Sequence, residues 1–368
     1  LSGIRPKFYG SGKNVRDWIH TNNHLRKEKI MKNSVVIIVP YFGKLPNYFN
    51  LWMESVKYNS KIDVMFFTDI KKPNSIPENI IWTKMSFNEV QKRASATIGF
   101  QVSLSMPYKL TDYKPVYGEM FGDFVKNYDW WGFGDIDTIW GDLSPIINEK
   151  HLTSFDKILE LGHLTLIKNT NNMNHLYKKH VNHAWNYTEA FKTNFPYHFD
   201  EGGGFSFIAR QNGCRIYSQY PKNMSFADID LNKEAFHLAY NINKFSYVFI
   251  WKKGTLKGFW IDNHKIQSRD FTYIHLQKRS MEVLVDDYSR GFIIIPNKFL
   301  PIKGNFVNKD FIINASRLAP KIEEKRISKL SRLKEKTLSD VRRKFIQRIN
   351  KIPVNGNEVY FGTELPKY

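Results

Sequence analysis

Asp135 and Asp137 stand one residue apart in "DWWGFGDIDTIWGDL", Asp129 to Leu143, directly after an apolar, aromatic run. Two acids at i and i+2 of an extended strand would face opposite sides of a sheet. At a strand end the backbone turns. Both carboxylates can then approach one cation, or one can hold the cation and the other a sugar hydroxyl. Mn²⁺ or Mg²⁺ takes oxygen ligands and bridges diphosphate oxygens. There it neutralises charge that builds on a departing diphosphate. Trp130, Trp131 and Phe133 mark the preceding segment as a buried strand, which gives acids at its end a chemical purpose. Two further stretches carry candidate chemistry. "YIHLQKR" sets His275 ahead of Lys278 and Arg279, a grouping suited to a metal–diphosphate cluster. "FDEGGGF" sets Asp200 and Glu201 beside three glycines, which permit close backbone approach to a ligand. His175, His180 and His183 lack a convincing zinc ligand set and read as surface helix histidines.

These residues need a frame. "VVIIVPYFG", Val35 to Gly43, reads as a buried parallel strand and its loop, and Phe49, Trp52 and Val56 then follow helical spacing. "DVMFFTD" is a second strand ending in Asp69, and "NIIWTKM" a third. Ser86 with Glu89 three residues on forms a capping-box pattern. "KPVYGEMFGDFVKNY" reads as a helix with Pro115 near its first turn, and "DWWGFGDID" as the next strand. "KILEL" and "LTLIKN" read as short strands, "TNNMNHLYKKH" as a helix, and Tyr247 to Asp262 as a β-hairpin. The alternation predicts an α/β fold, an open sheet with helices on both faces. In such sheets ligands bind beyond the carboxyl ends of the strands, where Asp69, Asp135 and Asp137 all fall.

Residues 31–305 read as one compact domain, with residues 1–30 an extension or linker and 306–368 a basic helical tail. "MKNSVVIIVPYF" at Met31 resembles a domain start. No apolar run reaches the length of a bilayer span, and no secretory signal is visible. Cys214 is the only cysteine, so no internal disulfide can form, which fits a cytoplasmic setting. The net charge of +20 points to an anionic partner. Ala319 to Lys351 holds twelve Lys or Arg against four acids. There Ile327, Leu330, Leu338, Val341, Phe345 and Ile349 form one helical stripe, suited either to packing on another domain or to an anionic membrane surface.

"VVIIVPYFG", "FFTD", "YKLTDYKPVYGEMF" and "WWGFGDIDTIWGDL", in that order, resemble the GT-A nucleotide-sugar glycosyltransferases, with a Rossmann-like mixed sheet. More narrowly, they resemble the group of bacterial capsule and O-antigen biosynthesis that includes galactofuranosyltransferases. The resemblance covers roughly residues 34–300. It implies that Asp135 and Asp137 are the D-x-D metal and donor motif, with Mn²⁺ or Mg²⁺ as cofactor and a UDP-sugar as donor. It implies that Pro40, Tyr41 and Phe42 hold the base and ribose, that Asp69 contacts uracil or ribose, and that Lys114 contacts the donor. It implies His275 as a third metal ligand, with Lys278 and Arg279 on the diphosphate. An inverting transfer also needs a base for the acceptor hydroxyl, and Asp200 or Glu201 is expected to supply it. The implied acceptor is a growing surface glycan on a lipid carrier at the cytoplasmic face of the membrane.

Two other classes fit less well. A nucleotidyltransferase can share the sheet and the paired acids. It would carry a Gly-rich phosphate loop with a cation after the first strand, where "VPYFGKLPNY" has Gly43 alone. A nucleic-acid-binding protein would explain the charge, but the aromatics fall within strand and helix patterns rather than on a stacking surface. No P-loop and no G-x-S-x-G occurs.

Overall fold

The structure is a computed structural model, and it describes residues 33–219, 224–230, 234–240, 245–304 and 308–315. Residues 1–30 and the basic stretch 319–351 lie outside the described residues, and with them the tail helix expected from its apolar stripe.

Apolar runs set the central sheet. Its first strands are β1 (Val35–Pro40), β2 (Ile62–Thr68), β3 (Ile80–Lys84) and β4 (Trp130–Gly134). All four are parallel, in the order β3-β2-β1-β4. The chain winds outward from β1 to β3 and returns to the other side of β1 as β4. The order therefore reverses between β1 and β4, and a crevice opens at their carboxyl ends. After β5 (Thr138–Trp140) come β6 (Lys157–Leu161), β7 (Leu164–Lys168) and β8 (Ile216–Tyr217). Of these, β7 joins antiparallel to β4 and makes the sheet mixed.

Alternate residues of β1 serve two cores, as a strand buried on both faces requires. Val35, Ile37 and Val39 pack with helix α1 (Phe49–Lys57), chiefly through Phe49, Trp52 and Val56. Val36 and Ile38 pack with helix α2 (Phe87–Ile98), through Val90, Ala94 and Ile98. Helix α2 starts as its sequence predicts. The Ser86 hydroxyl accepts from the Glu89 N–H at 3.2 Å, and the Glu89 carboxylate accepts from the Ser86 N–H at 2.7 Å.

One departure from the expected helical cover is a second, mostly antiparallel sheet on the α1 side. Its strands are β10 (Val248–Lys252), β11 (Thr255–Asp262), β12 (Lys265–Phe271), β14 (Glu282–Val283), β15 (Phe292–Ile295) and β16 (Lys298–Pro301). Of these, β14 alone pairs parallel, with β16. The expected hairpin is its β10–β11 pair, turned by Lys253 and Gly254 with φ of 48° and 80°. Phe249, Trp251 and Phe292 from this sheet enter the α1-side core. Helix Lys309–Ala315 packs Ile312 and Ala315 on its Val248, Ile293 and Ile295.

A third, small sheet ties the two halves together. In it β13 (Tyr273–His275) lies between β5, antiparallel, and β9 (Ala227–Asp228), parallel.

The long helix expected over Lys114 to Tyr128 is instead broken into turns, Lys114–Val116, Tyr117–Met120 and Gly122–Val125. Gly118 is where this segment meets the sheet. A Cβ there would lie 2.3 Å from the Trp131 indole, itself held by a 2.7 Å bond from Nε1 to Asn174. Gly118→Ala is therefore expected to destabilise the fold by about 1–3 kcal/mol through overpacking. Gly122→Ala, where a Cβ meets nothing within 4 Å, should show no comparable loss. Urea unfolding of the two variants checks this, and equal midpoints would show that the Trp131 contact is soft.

Candidate active site

Beyond the carboxyl ends of β1 and β4 lies a cleft of about 730 Å³. The loop after β1 lines one side with Pro40, Tyr41, Phe42 and Tyr48. Tyr108, Lys114 and Tyr117 line another, Asp135 and Asp137 its floor, and Lys278 and Arg279 its far edge. Eight of the residues expected at a donor site from sequence are therefore brought to one cavity.

The two acids sit in the turn between β4 and β5. Asp135 is half-buried, and its N–H donates to the His163 carbonyl at 3.1 Å. Asp137 is buried and held by its neighbour β13: the Leu276 N–H donates to the Asp137 carbonyl at 2.8 Å. The Lys278 N–H donates to Asp137 Oδ2 at 2.6 Å. Gln277 and Lys278 turn this N–H inward with left-handed φ of 54° and 55°. The register of β13 sets His275 opposite Thr138, next to Asp137. His275 Nε2 lies 3.6 Å from Asp137 Oδ2. Donor atoms of Asp135, Asp137 and His275 all lie within 4.8 Å of one another. Two carboxylates and an imidazole form a donor set suited to Mn²⁺ or a similar divalent cation, so the chemistry of the group fits a metal.

Charges around this group are tightly coupled. Burial works against ionisation of Asp137, but the His275 charge overcomes it and holds the carboxyl below its usual range. Burial equally opposes a charge on His275, yet Asp137 and Asp228 push it up to about 10. His163 stacks on His275 with centroids 4.4 Å apart. Burial, then the His275 charge, pushes His163 down to about 3, so it is neutral. Burial and the Asp137 charge raise Tyr48, which remains protonated.

Lys114 already has partners within the protein. It reaches the cleft wall, but its ammonium donates to Asp135 Oδ1 at 2.7 Å and to the Gly162 carbonyl at 2.9 Å, and lies 3.7 Å from Asp200 Oδ2. Its charge is turned on the protein. Arg279 is similar: Nη1 donates to Asn297 Oδ1 at 3.0 Å and Nη2 to the Asp230 carbonyl at 3.2 Å. Lys278 is exposed, its Nζ 3.8 Å from the centre of the exposed Tyr108 ring at the cleft edge.

Asp69 follows β2, is exposed and does not line the cleft. The crevice opens between β1 and β4, and β2 lies on the far side of β1. Asp200 and Glu201 lie behind the acid turn and do not line the cleft either. The glycines do precede a helix, α3 (Phe205–Gln211). Asp200 is buried with Oδ1 lacking a hydrogen-bond partner. Burial raises its carboxyl well above the usual range, against the pull of Lys114. Glu201 is half-buried and accepts from the Gly162 N–H at 3.1 Å. Its neighbourhood is fixed from below by Asp112, which accepts from the Tyr197 and Phe199 N–H groups while paired with buried Lys109 at 2.5 Å. Among the described residues, His175, His180 and His183 enter no group able to hold a metal.

Sequence reasoning missed His163, Tyr273 and Asp228. His275 Nδ1 meets Asp228 Oδ1 at 2.8 Å, and the Tyr273 hydroxyl meets His163 Nδ1 at 3.0 Å. One signal was present: "FADIDL" repeats the D-I-D spelling of the acid turn at Asp228 and Asp230.

No helix among the described residues is long and apolar enough to cross a membrane. Among solved structures, the crystal structure of the glycosyltransferase GlyE in Streptococcus pneumoniae TIGR4 is similar at a TM-score of 0.25 and 17% identity, over 52% of this chain and 46% of that one. The chain thus spans less than half the length of that protein, and so slight a likeness carries no argument about chemistry. The sequence pattern described as "Family of unknown function (DUF6625)" matches residues 37–303, the greater part of the chain, and the chain belongs to that family.

Proposed function

We propose that the protein is a divalent-cation-dependent glycosyltransferase of the GT-A kind, which moves a sugar from a nucleoside diphosphate to a glycan acceptor. One observation carries this reading: Asp135 and Asp137 line a cleft between β1 and β4, and their donor atoms converge with one of His275 within 4.8 Å. Tyr41, Phe42 and Tyr48 offer apolar faces on one wall for a base and ribose, and exposed Lys278 offers a cation near the acids. The bound cation would be held by Asp135, Asp137 and His275, and would offset charge on the leaving diphosphate. A UDP-linked donor of galactose type, galactofuranose first, and a lipid-linked bacterial surface glycan as acceptor follow from the motif resemblance.

In an inverting transfer the acceptor oxygen bonds to the anomeric carbon as the bond to the diphosphate oxygen breaks. The hydroxyl proton passes to a carboxylate. Of the two acids after Phe199, Glu201 suits that role better. Asp200 is shut behind Lys114 and its burial favours the protonated form. Lys114 instead anchors Asp135 from behind and fixes where its second oxygen points.

The first test is binding. Mn²⁺ with UDP should raise the melting temperature of the full chain, because a ligand held only by the folded state stabilises it. Asp137→Asn should remove that shift and lower transfer by about 10²-fold or more. An unchanged Mn²⁺–UDP shift in Asp137→Asn would remove the metal reading, and a shift with DNA instead of UDP would favour a nucleic-acid partner. A shift with a nucleoside triphosphate and sugar phosphate, but not with UDP, would point to nucleotidyl transfer.

The second test separates the acids. Glu201→Gln should lower turnover by about 10²-fold with UDP affinity nearly intact. Asp200→Asn, which keeps a neutral group beside Lys114 and leaves the Lys114–Asp135 pair in place, should bind Mn²⁺ and turn over close to wild type. If Glu201→Gln turns over like wild type, the base lies elsewhere or the transfer is retaining.

A further inference from the structure

Two groups of donors share His275. One is His275 with Asp135 and Asp137 of the cleft floor; the other, wholly buried, is His163, Asp228 and His275. In each, the donor atoms lie within 4.8 Å of one another. One imidazole presents one ring nitrogen to each side, so what binds Nδ1 decides what Nε2 can do. We infer that Asp228 is a positioning residue: its carboxylate holds His275 with Nδ1 turned inward and Nε2 toward Asp137, which assigns a divalent cation to the cleft-floor group and leaves the inner group as its support. The inference rests on the metal reading proposed above.

Three observations carry it. The β13–β9 register places His275 beside Asp228, so the pairing is set by backbone hydrogen bonds rather than by a chance rotamer. Asp228 Oδ1 meets His275 Nδ1 at 2.8 Å and also accepts from Gln277 Nε2 at 2.9 Å. A carboxylate can only accept, so the His275 proton on this side is on Nδ1, and Nε2 faces Asp137 at 3.6 Å. The His163 ring, stacked 4.4 Å away at 28°, closes the remaining space.

His163 is the natural rival. Its Nε2 is buried without a hydrogen-bond partner and lies 4.0 Å from Asp228 Oδ2. A cation held by all three inner donors, however, would need His275 Nδ1 itself, in place of the proton that Asp228 Oδ1 now accepts. A carboxylate behind a ligating histidine fixes its tautomer and ring orientation, and removing one commonly costs 10–100-fold in metal affinity.

The test is a Mn²⁺ titration of the full chain without donor, read by electron paramagnetic resonance of free Mn²⁺, beside melting temperatures in chelator. Wild type should bind one Mn²⁺, and Asp228→Asn should weaken it by about 10–100-fold with the chelator melting temperature largely kept. Asp228→Ser gives the same comparison if the amide variant does not fold. His163→Phe, which keeps the stacked ring and removes its nitrogens, should bind Mn²⁺ as wild type does. ¹⁵N spectra of the metal-free protein should show His275 protonated at Nδ1 in wild type and altered in the Asp228 variants. Mn²⁺ affinity unchanged in the folded Asp228 variants would overturn the positioning role. Loss of Mn²⁺ in His163→Phe, with the chelator melting temperature kept, would place the ion in the inner group. Wild type that binds no Mn²⁺ at all would overturn the metal reading and this inference together.

Discussion

The site depends on the pairing of one short strand. Tyr273–His275 is bonded on one side to Thr138–Trp140 and on the other to Ala227–Asp228. That pairing brings three segments of separate origin to one point: the acid turn after β4, the late histidine and the second D-I-D. Because side chains alternate along a strand, a slip of one residue would turn His275 away from both carboxylates. The backbone of the following turn adds to the hold, since the Leu276 and Lys278 N–H groups both end on Asp137. Geometry at the acids is therefore a property of sheet register and not of side-chain choice alone.

Charge is closely balanced around the acid turn. Among the described residues, Asp135, Asp137, Asp200 and Asp228 pair with two buried cations, Lys114 and His275. Buried charge is costly unless it is paired. The molecule meets part of that cost by keeping Asp200 in its protonated range and by donating backbone N–H groups to Asp137. Lys114 spans Asp135 and Asp200, so it joins the acid turn to the segment after Phe199. That segment is fixed from the other side by the fully buried Lys109–Asp112 pair, whose carboxylate takes the Tyr197 and Phe199 N–H groups. Two buried lysines thus set the distance between the acid turn and the Asp200–Glu201 pair.

Much of this frame was legible in the sequence, for physical reasons that also mark its limits. Strands β1, β2 and β4 are apolar runs bounded by turns, and a strand buried on both faces must read that way. The capping box at Ser86 and the Lys253–Gly254 hairpin are local, so their residues announce them. The acid turn was legible because carboxylates after a tryptophan-rich strand need a reason to be there. By contrast, Asp228 bonds a histidine 47 positions away, and Tyr273 a histidine 110 positions away. No local pattern encodes such partners. Arg279 shows the same limit: beside Lys278 it reads as a second cation for an anion, and it lines the cleft, but no local pattern announces its bonds to Asn297 and the Asp230 carbonyl.

Asp69 shows how topology selects among residues of equal chemistry. It stands at the carboxyl end of a parallel strand, as Asp135 does, and strand-end position alone would rank the two together. Only strand order separates them. The chain reverses its direction of growth between β1 and β4, which leaves no connection above that gap and opens the cleft there. Above β1 and β2 no such gap exists, since the chain leaving β1 crosses by α1 directly to β2. The same carboxylate therefore meets solvent at one strand end and a cluster with Asp137 and His275 at the other. The cluster exists because the small third sheet delivers His275 to that one opening.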